Sequence, residues 1–192
     1  IGNSELSALG NAATGVVFPV FIVAQAFAWC LGDGCAAFIN ICQGKGETQK
    51  LDRSVGGCIT VTLVCSVALI ALFFPLKNQI LNLCGASQNS IGYAVTYFNI
   101  VVAFFPVYML SNMLNSVVRA DGNPAWAMAS MLAGAVINIA LDPLFIFAFK
   151  MGMAGAAWAT VTGQAASFII GAAYLFRTRT FKLKLSSFIP SF

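Results

Sequence analysis

The sequence has no histidine among its 192 residues. That absence removes imidazole bases and histidine-ligated metals, and with them most hydrolytic chemistry. No G-x-S-x-G run occurs, so the usual nucleophile turn of an acyl-transfer enzyme is missing as well. The six cysteines (Cys30, Cys35, Cys42, Cys58, Cys65 and Cys84) form no C-x-x-C pair. Five of them fall within or at the ends of apolar runs, where they read as small packing residues rather than metal ligands or disulfide partners. Charge is the scarcest commodity: charged residues make up 8% of the chain and apolar residues 59%. A soluble domain carries about 25% charged residues. With a mean hydropathy of +0.87, this chain cannot cover a globular surface with polar groups and reads as a membrane protein. The ten basic residues give a net charge of only +4 and are scattered among apolar runs, which excludes a nucleic-acid partner. Residues 1–14 hold no Lys or Arg for the basic region of a secretory signal, and a chain that opens on Ile1 is expected to be a piece of a longer one.

A helix needs about 20 mostly apolar residues to cross the hydrocarbon core. Five segments reach that length, at about 15–42, 55–74, 91–118, 125–149 and 153–176. The expected architecture is therefore all-α, a polytopic transmembrane helix bundle. The polar breaks are QGKGETQKLDR, PLKNQILNLCGASQNS, RADGNP and a short KMG. SELSALGNAATG, ahead of the first span, either extends that helix or lies at the interface. Gly44 and Gly46 are helix stops, Pro124 suits a first helical turn, and Pro19 and Pro106 are expected to bend spans one and three. No sharp internal repeat or low-complexity segment is present.

Basic residues orient the bundle. Lys45, Lys50, Arg53, Arg119, Arg177, Arg179, Lys182 and Lys184 fall on one side, and Lys77 and Lys150 on the other. The positive-inside rule makes the eight-residue side cytoplasmic, with the N-terminus of this chain outside and its C-terminus inside. The tail RTRTFKLK reads either as a topological anchor or as a lipid-binding patch, and its alternating Phe181, Leu183 and Leu185 suggest a segment lying at the membrane surface.

Within the spans the informative residues are few. An aspartate at the centre of a membrane helix is unfavourable by about 2.5–3.5 kcal/mol, so it faces a cavity or a partner. Asp142, in INIALDPLFIFAF, lies seven residues before Phe149, about 10 Å below the outer end at 1.5 Å per residue. Asn138 precedes it by one turn on the same face. Asp-Pro also suits a helix break, with Asp142 as the N-cap. The preferred reading is a continuous helix kinked at Pro143, which frees the Ile139 carbonyl beside the carboxylate, as in the broken-helix cation sites of transporters. In the fifth span Gly155, Ala159 and Gly163 make a small-residue stripe for close helix packing. Thr160 and Gln164 lie on the adjoining face, although a membrane threonine commonly bonds its own backbone. Asp33, between Gly32 and Gly34, reads as a structural partner for an inward-side base such as Arg119, with a second proton-handling group as the alternative. Phe145, Phe147 and Phe149 offer aromatic surface either to a substrate or to lipid.

The run RADGNPAWAMASMLAGAVINIALDPLFIFAFKMGMAGAAWATVTGQ resembles the fourth-to-sixth-helix region of multidrug and toxic compound extrusion (MATE) transporters. The shared pattern is R-x-x-G, then N-x-x-x-L-D-P-x-F-I-F, then G-x-x-G-A-A-x-A-T, and SALGNAATGVVFPV and QGKGE resemble the second helix and its following loop. The resemblance covers nearly the whole chain and implies helices two to six of twelve, a partial N-terminal lobe at residues 1–192, with 177–192 as a cytoplasmic inter-lobe segment. It implies a cation site at Asn138, Asp142 and Thr160; it carries over no role for Asp33, which with Gln164 stands as a secondary candidate on the residues alone. The family's first-helix acid and second lobe have no counterpart in this chain.

The implied activity is not enzymatic. It is cation-coupled (H⁺ or Na⁺) antiport that exports amphipathic or cationic compounds across the plasma membrane by alternating access. The implied partners are those small molecules, the bilayer, and the missing first helix and C-terminal lobe. No cofactor is expected beyond the coupling ion. A proton at Asp142 calls for a dehydrated cavity, whereas Na⁺ calls for an ionised carboxylate with oxygens from Asn138 and Thr160. The rival readings are a lipid-linked oligosaccharide flippase, which needs basic residues in its cavity, an intramembrane enzyme, which needs a nucleophile–base pair, and a structural membrane fragment.

Overall fold

The computed structural model describes residues 2–47, 51–178, 180 and 187, with side chains from residue 9 onward. Arg179, Lys182 and Lys184, the alternating Phe181, Leu183 and Leu185 of the tail, and Lys50 lie outside the described residues. Among those described, regular structure is helical throughout: α1 (Gly2–Lys45), α2 (Leu51–Leu83), α3 (Ile91–Ala103), α4 (Phe105–Ala120), α5 (Pro124–Pro143) and α6 (Gly152–Arg177). Four of the helices are long and apolar enough to cross a membrane alone, and α3 and α4, bent by 57° at Phe104, reach that length and apolarity only as a pair. The chain is a multi-pass membrane protein.

Apolar spacing explains which face of each helix is buried. On α1 the fully or nearly buried Ala13, Val17, Val20, Ala24 and Ala28 recur at intervals of three or four residues, one stripe of a 3.6-residue helix. That stripe packs against Phe73 of α2, Phe98 and Val102 of α3, and Phe105 and Met109 of α4. A second cluster at the Lys45 end joins Ile39 of α1, Leu51 and Val55 of α2, and Met113, Leu114 and Val117 of α4. By contrast α5 buries little: Met128, Leu132, Val136 and Ile139 are all more than half exposed, as suits a helix facing lipid or another part of a larger bundle.

Several boundaries differ from the sequence expectation. The lead-in segment is helical, and α1 runs without a break from Gly2 through Pro19 to Lys45. Gly44 lies inside it, and the stop is Gly46 at φ +72°. There the Gly46 N–H donates to the Gln43 carbonyl and the Glu47 N–H to the Cys42 carbonyl, closing the last turn. The second helix does not end at Pro75 but continues to Leu83. Pro75 sacrifices one hydrogen bond there, while Leu81 beyond it is fully buried in the main core, so packing overrides the local preference. In span three Pro106 occupies the first turn of α4, and the break falls at Phe104. Asn123 caps α5 by accepting from the Trp126 N–H at 3.2 Å, with Pro124 as the first helical residue.

At Asp142–Pro143 the structure chooses neither a clean break nor a simple kink. The α-helix reaches Pro143 and passes directly into a single π-helical turn, Leu144–Ala148. The wider turn accommodates the proline ring and the hydrogen bond it deletes. Lys150 at φ 54° and Gly152 at φ 56° then reverse the chain into α6.

Candidate functional site

The site is built around the close approach of α5 and α6. A Cβ on Gly163 would lie 2.6 Å from the Gly134 carbonyl oxygen and 2.9 Å from Asn138 Cβ. One on Gly134 would collide with the Ser167 hydroxyl, and one on Gly155 would lie 2.9 Å from the Phe145 carbonyl. The stripe Gly155, Ala159 and Gly163 is accordingly buried. Small residues let the two backbones touch, and this contact presents Asn138 to the interior. Ser167 adds a cross-helix hydrogen bond, donating to the Ser130 carbonyl at 2.8 Å.

Between α1, α4, α5 and α6 lies a cavity of about 510 Å³, a volume typical of small-molecule sites. Asn138, Thr160 and Gln164 line it, and so do Asp33 and Arg119. Gln25, Trp29 and Asp33 follow one another at four-residue intervals along the cavity face of α1, and Tyr108, Asn112 and Arg119 line it from α4. Hence one end is neutral and polar, and the other, toward Lys45, carries one carboxylate and one guanidinium.

Asn138 has an unusual position. Its Nδ2 is buried and has no hydrogen-bond partner among the described residues. Buried amide groups are normally satisfied, and leaving one unpaired costs about 1–3 kcal/mol. A half-turn of the amide would present its oxygen instead, so the position can serve an anion, a water or a cation. Thr160 hydroxyl donates to the Ala156 carbonyl at 2.9 Å, the local bond that a membrane threonine favours. The same hydroxyl also meets the Tyr97 hydroxyl of α3 at 3.3 Å. The two readings of Thr160 are therefore compatible, because the back-bond leaves its oxygen able to accept.

Asp142 is half-buried and sits one turn beyond Asn138, outside the lining of the cavity itself. Its carboxylate lies within electrostatic range of the Tyr97 hydroxyl. Tyr97 is thus the residue that sequence reading missed. It is 93% buried and meets Thr160 from a third helix, and no spacing rule links α3 to α6 across 63 positions. Its one local signal was a phenol in a span that also holds Tyr93, Thr96 and Asn99.

Asp33 stands apart from these groups at the Lys45 end. The Ser116 hydroxyl donates to Asp33 Oδ1 at 2.7 Å, and Arg119 Nη2 approaches the same oxygen at 3.6 Å. Phe147 and Phe149 are 75% and 62% exposed and do not line the cavity. Cys35 and Cys42 are buried, and the Cys58 thiol donates to the Leu31 carbonyl at 3.3 Å, joining α2 to α1, whereas Cys30 is exposed. No group of three or more Cys, Asp and Glu with metal-binding geometry occurs among the described residues. A monovalent cation would draw instead on one carboxylate, one amide and one hydroxyl.

Comparison with known proteins places this geometry in context. The family model described as MatE matches residues 3–144. The chain is 30% identical over 168 residues to a Bacillus subtilis (strain 168) protein described as "Probable multidrug resistance protein YoeA", covering 85% of this chain and 36% of that protein. It is 29% identical to the multidrug export protein MepA of Staphylococcus haemolyticus, covering 80% and 34%. A solved structure of MATE in the bent conformation superposes with a TM-score of 0.92 at 28% identity, over 98% of this chain and 42% of that one. The chain thus spans about a third of the length of these curated relatives.

Proposed function

The chain belongs to the MatE family, and from that premise we propose that it forms part of a cation-coupled exporter of amphipathic and cationic compounds. The family's members are transporters, not enzymes. In this proposal the chain supplies helices two to six of the N-terminal lobe, and a preceding helix and a second lobe complete the molecule. The Lys45 end faces the cytoplasm of a cell whose plasma membrane holds the protein.

The observation that carries the reading is the unpartnered amide of Asn138, held in a drug-sized cavity one turn from Asp142 and beside Thr160. A buried polar donor without a partner is costly to maintain, and a transported ion, water or substrate group would relieve that cost. Asp142 takes up H⁺ or Na⁺ from the outer side, with Asn138 and Thr160 oxygens completing the shell of a bound Na⁺. Tyr97 donates to the carboxylate or to Thr160 according to the charge on Asp142. Ion uptake and drug binding stabilise different arrangements of the lobe, and their mutual exclusion gives antiport. The flippase reading fits less well, because Arg119, the single cavity-lining base among the described residues, already faces Asp33.

The test is ethidium efflux from proteoliposomes holding the full-length transporter under an imposed H⁺ or Na⁺ gradient. Wild type should export and Asp142→Asn should fall to background at unchanged protein content. Equal gradient-driven efflux by both would rule the mechanism out.

A further inference from the structure

Two charged side chains line the Lys45 end of the cavity, and the coupling reading uses neither. Charges within membrane spans are expensive and are normally paired or functional. A pair that contributes much to helix packing is short and multiply bonded. Asp33 and Arg119 are otherwise: they approach to 3.6 Å through one oxygen and one nitrogen, and their side chains remain 64% and 54% exposed. Ser116 stands between them, donating to Asp33 Oδ1 at 2.7 Å and accepting from Arg119 Nη2 at 3.0 Å. Asp33 Oδ2 and Arg119 Nη1 have no hydrogen bond among the described residues.

Packing of α1 on α4 does not depend on this pair. A Cβ on Gly32 would lie 3.0 Å from Met113 Cα, so the helices already touch there, and buried Ile39, Met113 and Val117 fill the junction. Exposed ion pairs hold weakly, so parting this one is easy. Trp29 precedes Asp33 by one turn on the same helix face, also lines the cavity and is half exposed. An indole, a carboxylate and a guanidinium therefore border one end of the same space.

The ligand follows from the charges. A purely cationic compound pairs with Asp33 and leaves Arg119 without a partner, and a purely anionic one does the reverse. A molecule carrying ammonium and carboxylate on one carbon satisfies both at once, in a way that a compound with its charges at opposite ends does not. We propose that Trp29, Asp33 and Arg119 form a subsite for the head group of aromatic α-amino acids, a proposal that rests on the transport reading of the cavity. The ligand carboxylate takes the planar guanidinium fork of Arg119. Its ammonium donates to Asp33 Oδ2, while Ser116 keeps its bond to Oδ1. The aromatic side chain runs along Trp29 toward Gln25, about 12 Å away along α1 at 1.5 Å per residue.

The experiment is binding of radiolabelled L-tryptophan to the purified full-length transporter. Competitors are tryptophan methyl ester, which lacks the carboxylate, and N-acetyltryptophan, which lacks the ammonium, and ethidium efflux is measured on the same preparation. Wild type should bind tryptophan at least tenfold more tightly than either masked analogue. Arg119→Gln should abolish discrimination against the methyl ester, and Asp33→Asn should abolish discrimination against the N-acetyl compound. Such a crossed pattern cannot arise from general damage, and the wild-type ranking alone decides the matter should a variant not fold. Uniform weakening of all three ligands in both variants would overturn the subsite. So would a wild type that exports ethidium but does not prefer tryptophan over both analogues. A wild type that neither exports ethidium nor binds tryptophan would overturn the transport reading and the subsite with it.

Discussion

The hydroxyls of Tyr97 and Thr160 meet at 3.3 Å across the α3–α6 interface. Since Thr160 already donates to the Ala156 carbonyl, its oxygen accepts and Tyr97 donates in this arrangement. The charge on Asp142 acts on the same phenol.

Tyr97→Phe therefore tests whether that hydroxyl reports on the ion. The substitution keeps the ring, whose neighbour is Phe21 at 6.3 Å, and removes one hydrogen bond worth about 0.5–1.5 kcal/mol. The expected outcome is a small loss of thermal stability and a several-fold change in the H⁺ or Na⁺ concentration that gives half-maximal efflux. An unchanged ion dependence would leave Tyr97 a packing residue.

Gly163→Ala should be severe. The new methyl would press on the Gly134 carbonyl and on Asn138 Cβ at under 3 Å, and overpacking of this kind costs about 1–3 kcal/mol. Gly34→Ala provides the contrast, because nothing lies within 4 Å of a Cβ there. It should be neutral, or stabilise by up to about 1 kcal/mol through helix propensity. Unfolding of both variants in detergent, followed by fluorescence, checks the difference in sign.

Asp121 ties three helix ends together. It accepts from the Tyr174 hydroxyl and the Thr178 hydroxyl, each at 2.7 Å, and from Gln43 Nε2 at 3.3 Å. Asp121→Ala should release the last turn of α6 and cost about 1–3 kcal/mol for the lost charge-assisted bonds. Hydrogen exchange at residues 174–178 should accelerate while that of the α1–α3 core stays slow. Uniform acceleration throughout would argue against a local clasp.

Much of this architecture was legible because the bilayer imposes simple rules. Length and hydropathy located the spans, Pro124 marked the start of α5, and the Gly155–Ala159–Gly163 spacing marked a contact face. Local signals erred where tertiary packing outweighed them. Pro75 suggested an ending, yet Leu81 beyond it is buried and carries α2 onward. At Pro143 the helix stays continuous, as the sequence suggested, and widens into a π turn that no local signal marked. The candidate site was half legible: Asn138 and Asp142 share one helix face, a property of spacing, and Thr160 came with the family resemblance. Tyr97 was not legible, because its meeting with Thr160 depends on how the broken third span folds back against α6.

The central claim is that Asp142 carries the coupling ion. The most direct measurement adds drug to the purified full-length transporter and follows ion release, with a pH-sensitive dye for H⁺ and preloaded ²²Na⁺ for sodium. Wild type should release one of the two ions on drug addition, and Asp142→Asn should release neither while still folding. Undiminished release from Asp142→Asn would contradict the account.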